Sequence, residues 1–123
     1  MNKGIFSVLM VGLLAAGQAG AECAYPKTPS NLPDGRTATE EQMVAGMKAI
    51  KEYNTQVNTY LECLDTETNE RVQAAGPDAP ADQIAQIKAI HTKRHNAAFD
   101  ELQTNVARFN EQVKAYKARE KKS

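Results

Sequence analysis

Cys23-Ala24-Tyr25-Pro26-Lys27-Thr28-Pro29-Ser30-Asn31-Leu32-Pro33-Asp34-Gly35 is the stretch that decides the fold. Its prolines have no N–H to give to a helix or a sheet, so the segment predicts an extended polyproline II arm. A period of three residues per turn puts Cys23, Pro26, Pro29 and Leu32 on one side of that arm. Pro33-Asp34-Gly35 then has the composition of a tight turn. At about 3.1 Å per residue the arm from Cys23 to Gly35 spans about 37 Å. A helix from Thr39 to Cys63, at about 1.5 Å per residue, spans about 36 Å. An arm running back along this helix therefore returns Cys23 to Cys63.

What lies upstream makes that meeting chemically meaningful. Lys3, the uncharged apolar run from Ile5 to Ala16 and Ala19-Gly20-Ala21 have the order of a signal peptide, which predicts cleavage before Glu22. The apolar run is shorter than the roughly 20 residues a membrane span needs. Glu22 stands where a lipid-attachment signal requires a small residue, so Cys23 is not read as a lipidation site. The chain is expected to be exported, to the periplasm or beyond. In an oxidising compartment, the only two cysteines, Cys23 and Cys63, predict one disulfide; an intermolecular bridge is the rival outcome. No C-x-x-C pair is present, so thiol exchange, c-type haem attachment and a cysteine zinc site have no basis.

The rest of the chain reads as two helices. Thr37 or Thr39 can cap the first, with Glu40 or Gln42 in the capping-box position. Met43, Met47, Ile50, Asn54, Val57, Leu61 and Leu64 step by alternating fours and threes, which is a heptad seam. Ala75-Gly76-Pro77-Asp78-Ala79 breaks the pattern. The second helix is expected to start at Pro80, with a stripe of Ile84, Ile87, His91, His95, Ala98, Leu102, Val106, Phe109, Val113 and Tyr116. Both helices run to roughly 55 to 60 Å. Two long helices of matched length with a short loop fold back as an antiparallel hairpin.

Charge agrees with the fold-back. Residues 37–74 hold seven acids and three bases, a net of −4, and residues 80–123 hold five acids and nine bases, a net of +4. Folding about Pro77 brings Glu40 and Glu41 near Lys114 and Lys117, and Glu62 and Asp65 near Lys88 and Lys93. Single surface pairs of this kind contribute only about 0 to 1 kcal/mol. The predicted class is therefore all-α: a long, coiled-coil-like antiparallel two-helix hairpin, with an extended Pro-rich N-terminal arm tied to helix 1 by a Cys23–Cys63 disulfide. Its parts are a signal peptide (1–21), the arm (22–36) and the helical hairpin (37–123).

The pattern Cys23-x2-Pro26-x2-Pro29-x3-Pro33-Asp34-Gly35, a threonine-capped helix with Met43, and Tyr60-Leu61-x-Cys63-Leu64 resembles a group of small exported bacterial helical proteins. The resemblance covers residues 23–64. That group has no assigned activity, so the likeness supports the disulfide-tied arm and implies no chemistry.

Candidate chemistry is sparse. His91 and His95, one helical turn apart, face one way, and the fold-back brings them near Asp65, which makes these three a candidate metal set. Lys93 and Arg94 between the histidines oppose a bound cation, and two histidines at the wet, loop-proximal end of the hairpin, bonding Asp65 or solvent, are the simpler outcome. A pH-responsive His91–Asp65 pair is a further option. Haem held by Met43 or Met47 and a histidine fails because the fold-back puts them at opposite ends of the hairpin. Ser30 and Ser123 are the only serines outside the signal peptide, no catalytic triad can be assembled, and there is no Gly-rich phosphate loop. The chain is read as a non-enzyme without a cofactor. Zero net charge argues against nucleic acid as a partner.

Lys114, Lys117, Arg119, Lys121 and Lys122, beside Phe109, Val113 and Tyr116, offer a basic end that could meet an anionic membrane surface. Lysines there equally complement the negative end of the helix dipole. Val44, Val72, Ile90 and Phe99 fall off the main seams and are expected at the surface. These observations favour a non-catalytic structural or interaction protein of the envelope that pairs with itself or with another envelope protein through a helical face. The alternative is a metal-binding helical protein using His91 and His95.

Overall fold

The computed structural model describes residues 22–122. The predicted signal peptide, residues 1–21, lies outside them, as does Ser123. Two helices, α1 (Glu40–Ala75) and α2 (Ala81–Glu120), pack against each other, with the N-terminal arm as a third layer.

Local chemistry sets the helix ends. Thr39 caps α1: the Gln42 N–H donates to its hydroxyl (3.1 Å), while the Gln42 side-chain oxygen accepts from the Thr39 N–H (2.9 Å). Two of the donors that a helix start leaves orphaned are thereby satisfied. Glu40 and Glu41 sit in the first turn, where the helix dipole favours acids. Gly76 ends α1 at φ 84°, a conformation that favours glycine. Pro80 is the N-cap of α2 and not its first helical residue; its carbonyl accepts from Gln83 and Ile84 at 3.0 and 3.3 Å. Asp82 and Lys117 with Arg119 match the dipole at the two ends of α2.

The arm has the predicted period of three. Cys23, Pro26, Gly35 and Ala38 are buried, with Pro29 and Leu32 half-buried between them. Cys23 and Cys63 are joined, their Cα atoms 5.7 Å apart. In the chain-entropy account, closing a loop of this length stabilises the fold by about 4 kcal/mol. For a hairpin with a single helix–helix interface, that is a large share of the usual 5 to 15 kcal/mol of stability.

The path of the arm differs from the sequence expectation. It does not run along α1 alone, and Ala45 and Gln56 on that helix are exposed. The arm lies instead in the groove between the two helices. Its walls are stripes of residues seven apart: Gly46, Tyr53, Tyr60 and Glu67 on α1, and Ala98, Asn105, Gln112 and Arg119 on α2. This third wall also rotates the core. Met43, Val57 and Leu64 of the expected seam are buried, but Gly46, Tyr53 and Tyr60 replace Met47, Asn54 and Leu61 as their buried companions. Met47 is 44% exposed. On α2, Ala98, Leu102 and Phe109 are buried as the stripe predicts, joined by Asn105.

Three clusters of side chains follow the hairpin from its loop to its open end. Cys23, Tyr60, Leu64 and Ala98 form the first; Tyr53, Val57 and Leu102 the second; and Ala38, Met43 and Phe109 the third. The first and last each include a residue from the N-terminal segment, so that segment is core and not decoration.

Two glycines permit the close approach. A Cβ on Gly35 would run into the backbone carbonyl of Gln112, and one on Gly46 would lie 2.6 Å from Pro33 Cδ and 2.9 Å from Phe109 Cε2. Helix propensity alone would make Gly46→Ala stabilising by about 1 kcal/mol. We expect the opposite sign: Gly46→Ala lowers the urea midpoint because Pro33 must leave its seat, and a raised midpoint would show that the arm packs elsewhere.

Candidate interaction surface

On the arm side, polar groups of α2 clamp what the apolar contacts cover. The Tyr25 hydroxyl donates to Glu101 Oε2 (2.5 Å), while its ring meets Tyr60 edge-on at 5.2 Å between centroids. The Gly35 N–H donates to Gln112 Oε1 (2.9 Å), and Arg119 Nη2 donates to the Ala38 carbonyl (2.5 Å). At the tip of the turn, Arg36 forks onto both oxygens of Asp34, at 3.1 and 2.9 Å. That guanidinium, aided by the Arg36 N–H, holds the Asp34 carboxyl below its ordinary range.

Glu67 organises the disulfide end. Arg94 reaches both of its oxygens at 3.2 Å, and Arg71, one turn along α1, lies 2.5 Å from Oε1. Glu67 Oε2 also stands 3.4 Å from Cys23 Sγ, a contact and not a hydrogen bond, since a disulfide sulfur carries no proton.

The predicted site residues are placed as follows. His91 Nε2 and Asp65 Oδ1 meet across the hairpin at 2.7 Å. His95 lies 5.9 Å from the His91 ring and stacks on Phe99 at 6.4 Å, centroid to centroid. Among the described residues no three His, Cys, Asp or Glu side chains converge as a metal-ligand group, and Asp65 already occupies the His91 nitrogen that faces it. Of the basic end, Arg119 is drawn into the Ala38 clamp and covers the Tyr116 ring at 5.0 Å, while Lys114 pairs with Glu111 of its own helix at 3.2 Å. Phe109 is buried, and Val113 and Tyr116 pack on the Ala38 cluster, so these apolar side chains serve the core.

Open clefts flank the arm. One, of about 580 Å³, runs beside Pro29, Leu32 and Pro33 against Asn105, Arg108 and Gln112. Another, about 500 Å³, lies over the disulfide between Pro26, Thr59 and Tyr60.

The side away from the arm carries exposed apolar side chains. Met47, Asn54 and Leu61 follow the groove stripe of α1 by one residue, as Phe99, Val106 and Val113 follow that of α2. They therefore lie past the helix–helix contact, on the uncovered side. Met47 is 44% and Phe99 42% exposed; Leu61, Val106 and Val113 are half-buried beside them. Val44 and Ile90 are exposed as expected, at 43% and 50%, whereas Val72 is half-buried. No protein family, curated protein or solved structure matches the chain. No helix of the described residues is long and apolar enough to cross a membrane.

The sequence reading does not reach Glu67, Glu101, Asn105 and Gln112, and it gives Arg94 and Arg119 other roles than their contacts with Glu67 and the Ala38 carbonyl. The signal was the same heptad spacing, carried on α2 by Asn105, Gln112 and Arg119 as polar residues and therefore not counted as inward-facing.

The Tyr25–Glu101 bond has a consequence in alkali. The carboxylate accepting from the phenol, with burial second, pushes the Tyr25 pKa from about 10 to about 12. A raised folded-state value means that this contribution to stability is complete below pH 10 and is lost as the pH rises towards 12. Absorbance titration of the tyrosines is expected to show a step near 12 that Tyr25→Phe deletes; an unchanged titration would place Tyr25 away from Glu101.

Proposed function

We propose that this chain is an exported, non-catalytic module of the cell envelope that works by binding another protein through its helical face. The observation that carries the reading is the uncovered side of the hairpin, where Met47 and Phe99 leave large apolar area in water. Isolated exposed apolar residues are ordinary, but Met47 and Phe99 share one side of the hairpin with the half-buried Leu61, Val106 and Val113, a row that suits a partner. The signal-peptide pattern of residues 1–21 supports export, and the resemblance to small exported bacterial helical proteins supports the same compartment.

A polar clamp on one side and bare apolar side chains on the other divide the labour between the two faces. The first is internally satisfied: among the described residues no buried side-chain polar atom lacks a partner. The second offers side chains in heptad order, the pattern that accepts another helix. His95 stacked on Phe99 borders this face, His91 is engaged by Asp65, and metal binding is not carried forward.

Capture from envelope extract with the oxidised protein as bait tests the reading. We expect specific partners, a second copy included, whose recovery falls at least tenfold with Met47→Asp and Phe99→Asp combined, a loss of about 1.4 kcal/mol or more in affinity. Recovery unchanged by the pair, or no specific partner at all, would reject it.

A further inference from the structure

We infer that the occupant of the uncovered face is a second copy of this chain, related by a two-fold axis parallel to the helices, so that the two hairpins form a four-helix bundle with the arms outside. The inference deepens the reading above and rests on it.

Charge selects the occupant and its orientation. The α1 segment, residues 37–74, carries a net of −4, and the α2 segment, residues 80–123, a net of +4. Two copies can be laid face to face in two symmetric ways. With the axis across the helices, α1 lies on α1 and α2 on α2, so like meets like along the whole length. With the axis along the helices, α1 of each copy lies on α2 of the other, and all neighbours in the bundle are antiparallel and opposite in charge. The second arrangement repeats between copies the pairing that the hairpin already makes within one.

The edges of the face agree with this choice. Residues that meet across the hairpin, such as Asp65 with His91 and Ala38 with Arg119, set the level of each position along it. A two-fold axis along the helices preserves those levels between copies. By this register Glu40 of one copy stands level with Lys117 of the other, and Asp65 lies within a turn of the other's Lys88. All four residues are exposed.

Asn54 acquires a reason in the same arrangement. It occupies a heptad seat between Met47 and Leu61 and is exposed in the single chain. The axis brings the two copies of Asn54 to one level near the centre of the bundle, where a paired amide specifies register at some cost in stability. An apolar residue there would hold a slipped alignment equally well. Closure by a two-fold axis also uses the whole face once and leaves no repeat for a third copy.

Sedimentation equilibrium of the oxidised, exported protein over micromolar to millimolar concentrations tests the inference. A dimer is expected. It should weaken at least tenfold with Phe99→Asp and with Asn54→Asp, and be unaffected by Ile90→Asp, which lies off the face. Asn54→Asp changes a residue exposed in the monomer and so leaves the fold intact even if Phe99→Asp does not. Spin labels on Glu41→Cys decide the orientation. They should lie within about two helix diameters, roughly 20 to 25 Å, whereas an axis across the helices separates them by about 50 Å. A monomer at all concentrations, a dimer indifferent to Asn54→Asp, or labels about 50 Å apart would overturn it. A monomer that still captures an envelope protein through Met47 and Phe99 overturns the second copy and leaves the broader reading standing.

Discussion

The structure depends on one constraint: the arm must stay in the groove between α1 and α2. Two helices alone share a single interface, and side chains flanking that interface are wetted on both sides of the hairpin. The arm removes one of those sides from water. It buries Tyr53 and Tyr60 to 2% and 4% exposure, side chains that a bare hairpin would leave at the rim. Covering aromatic area of this size adds substantially to what the helix–helix seam buries. The disulfide keeps the cover in place by making its detachment an intramolecular event with little entropy to gain.

Polar chemistry then gives the covered side its register. An extended arm has no internal hydrogen bonds, so its backbone groups need partners from elsewhere. Gln112 and Arg119 supply them to Gly35 and Ala38, one heptad step of α2 against three residues of arm. Gly35 can be served this way only because it has no Cβ to collide with the Gln112 carbonyl. A sliding arm would leave these groups unpaired, so the clamp and the disulfide specify the same alignment from opposite ends.

Much of this was legible in residues whose meaning is local or arithmetical. Thr39 with Gln42, Gly76 after the last turn, the period of three in the arm and the equal spans that return Cys23 to Cys63 all follow from short-range rules. The pairing of His91 with Asp65 follows from the position of the loop. The seam was read one residue off because heptad spacing is shared by neighbouring stripes. Met47, Asn54 and Leu61 keep the same step as Gly46, Tyr53 and Tyr60, and hydrophobicity alone favours methionine and leucine over glycine and tyrosine. Only a third element tips the choice, and its effect is not written in either helix. For the same reason Asn105 and Gln112, polar by type, were not placed inward, although Gln112 meets the arm backbone and Asn105 Nδ2 donates to the Glu101 carbonyl (2.8 Å).

The candidate surface was legible only in part, through Phe99, because exposure is decided by what the arm covers. Here the two faces of the hairpin are coupled. Without the arm, heptad stripes would be bare on both sides, and a hairpin sticky on opposite faces can stack without end. Covering one face with a segment of the same chain, and tying it down by sulfur, leaves a single opening, which is the condition for an assembly that closes on itself or on one partner. The export that we propose from residues 1–21 would supply the oxidising setting in which such a tie forms, so that proposal and the one-sided architecture belong to the same physical argument.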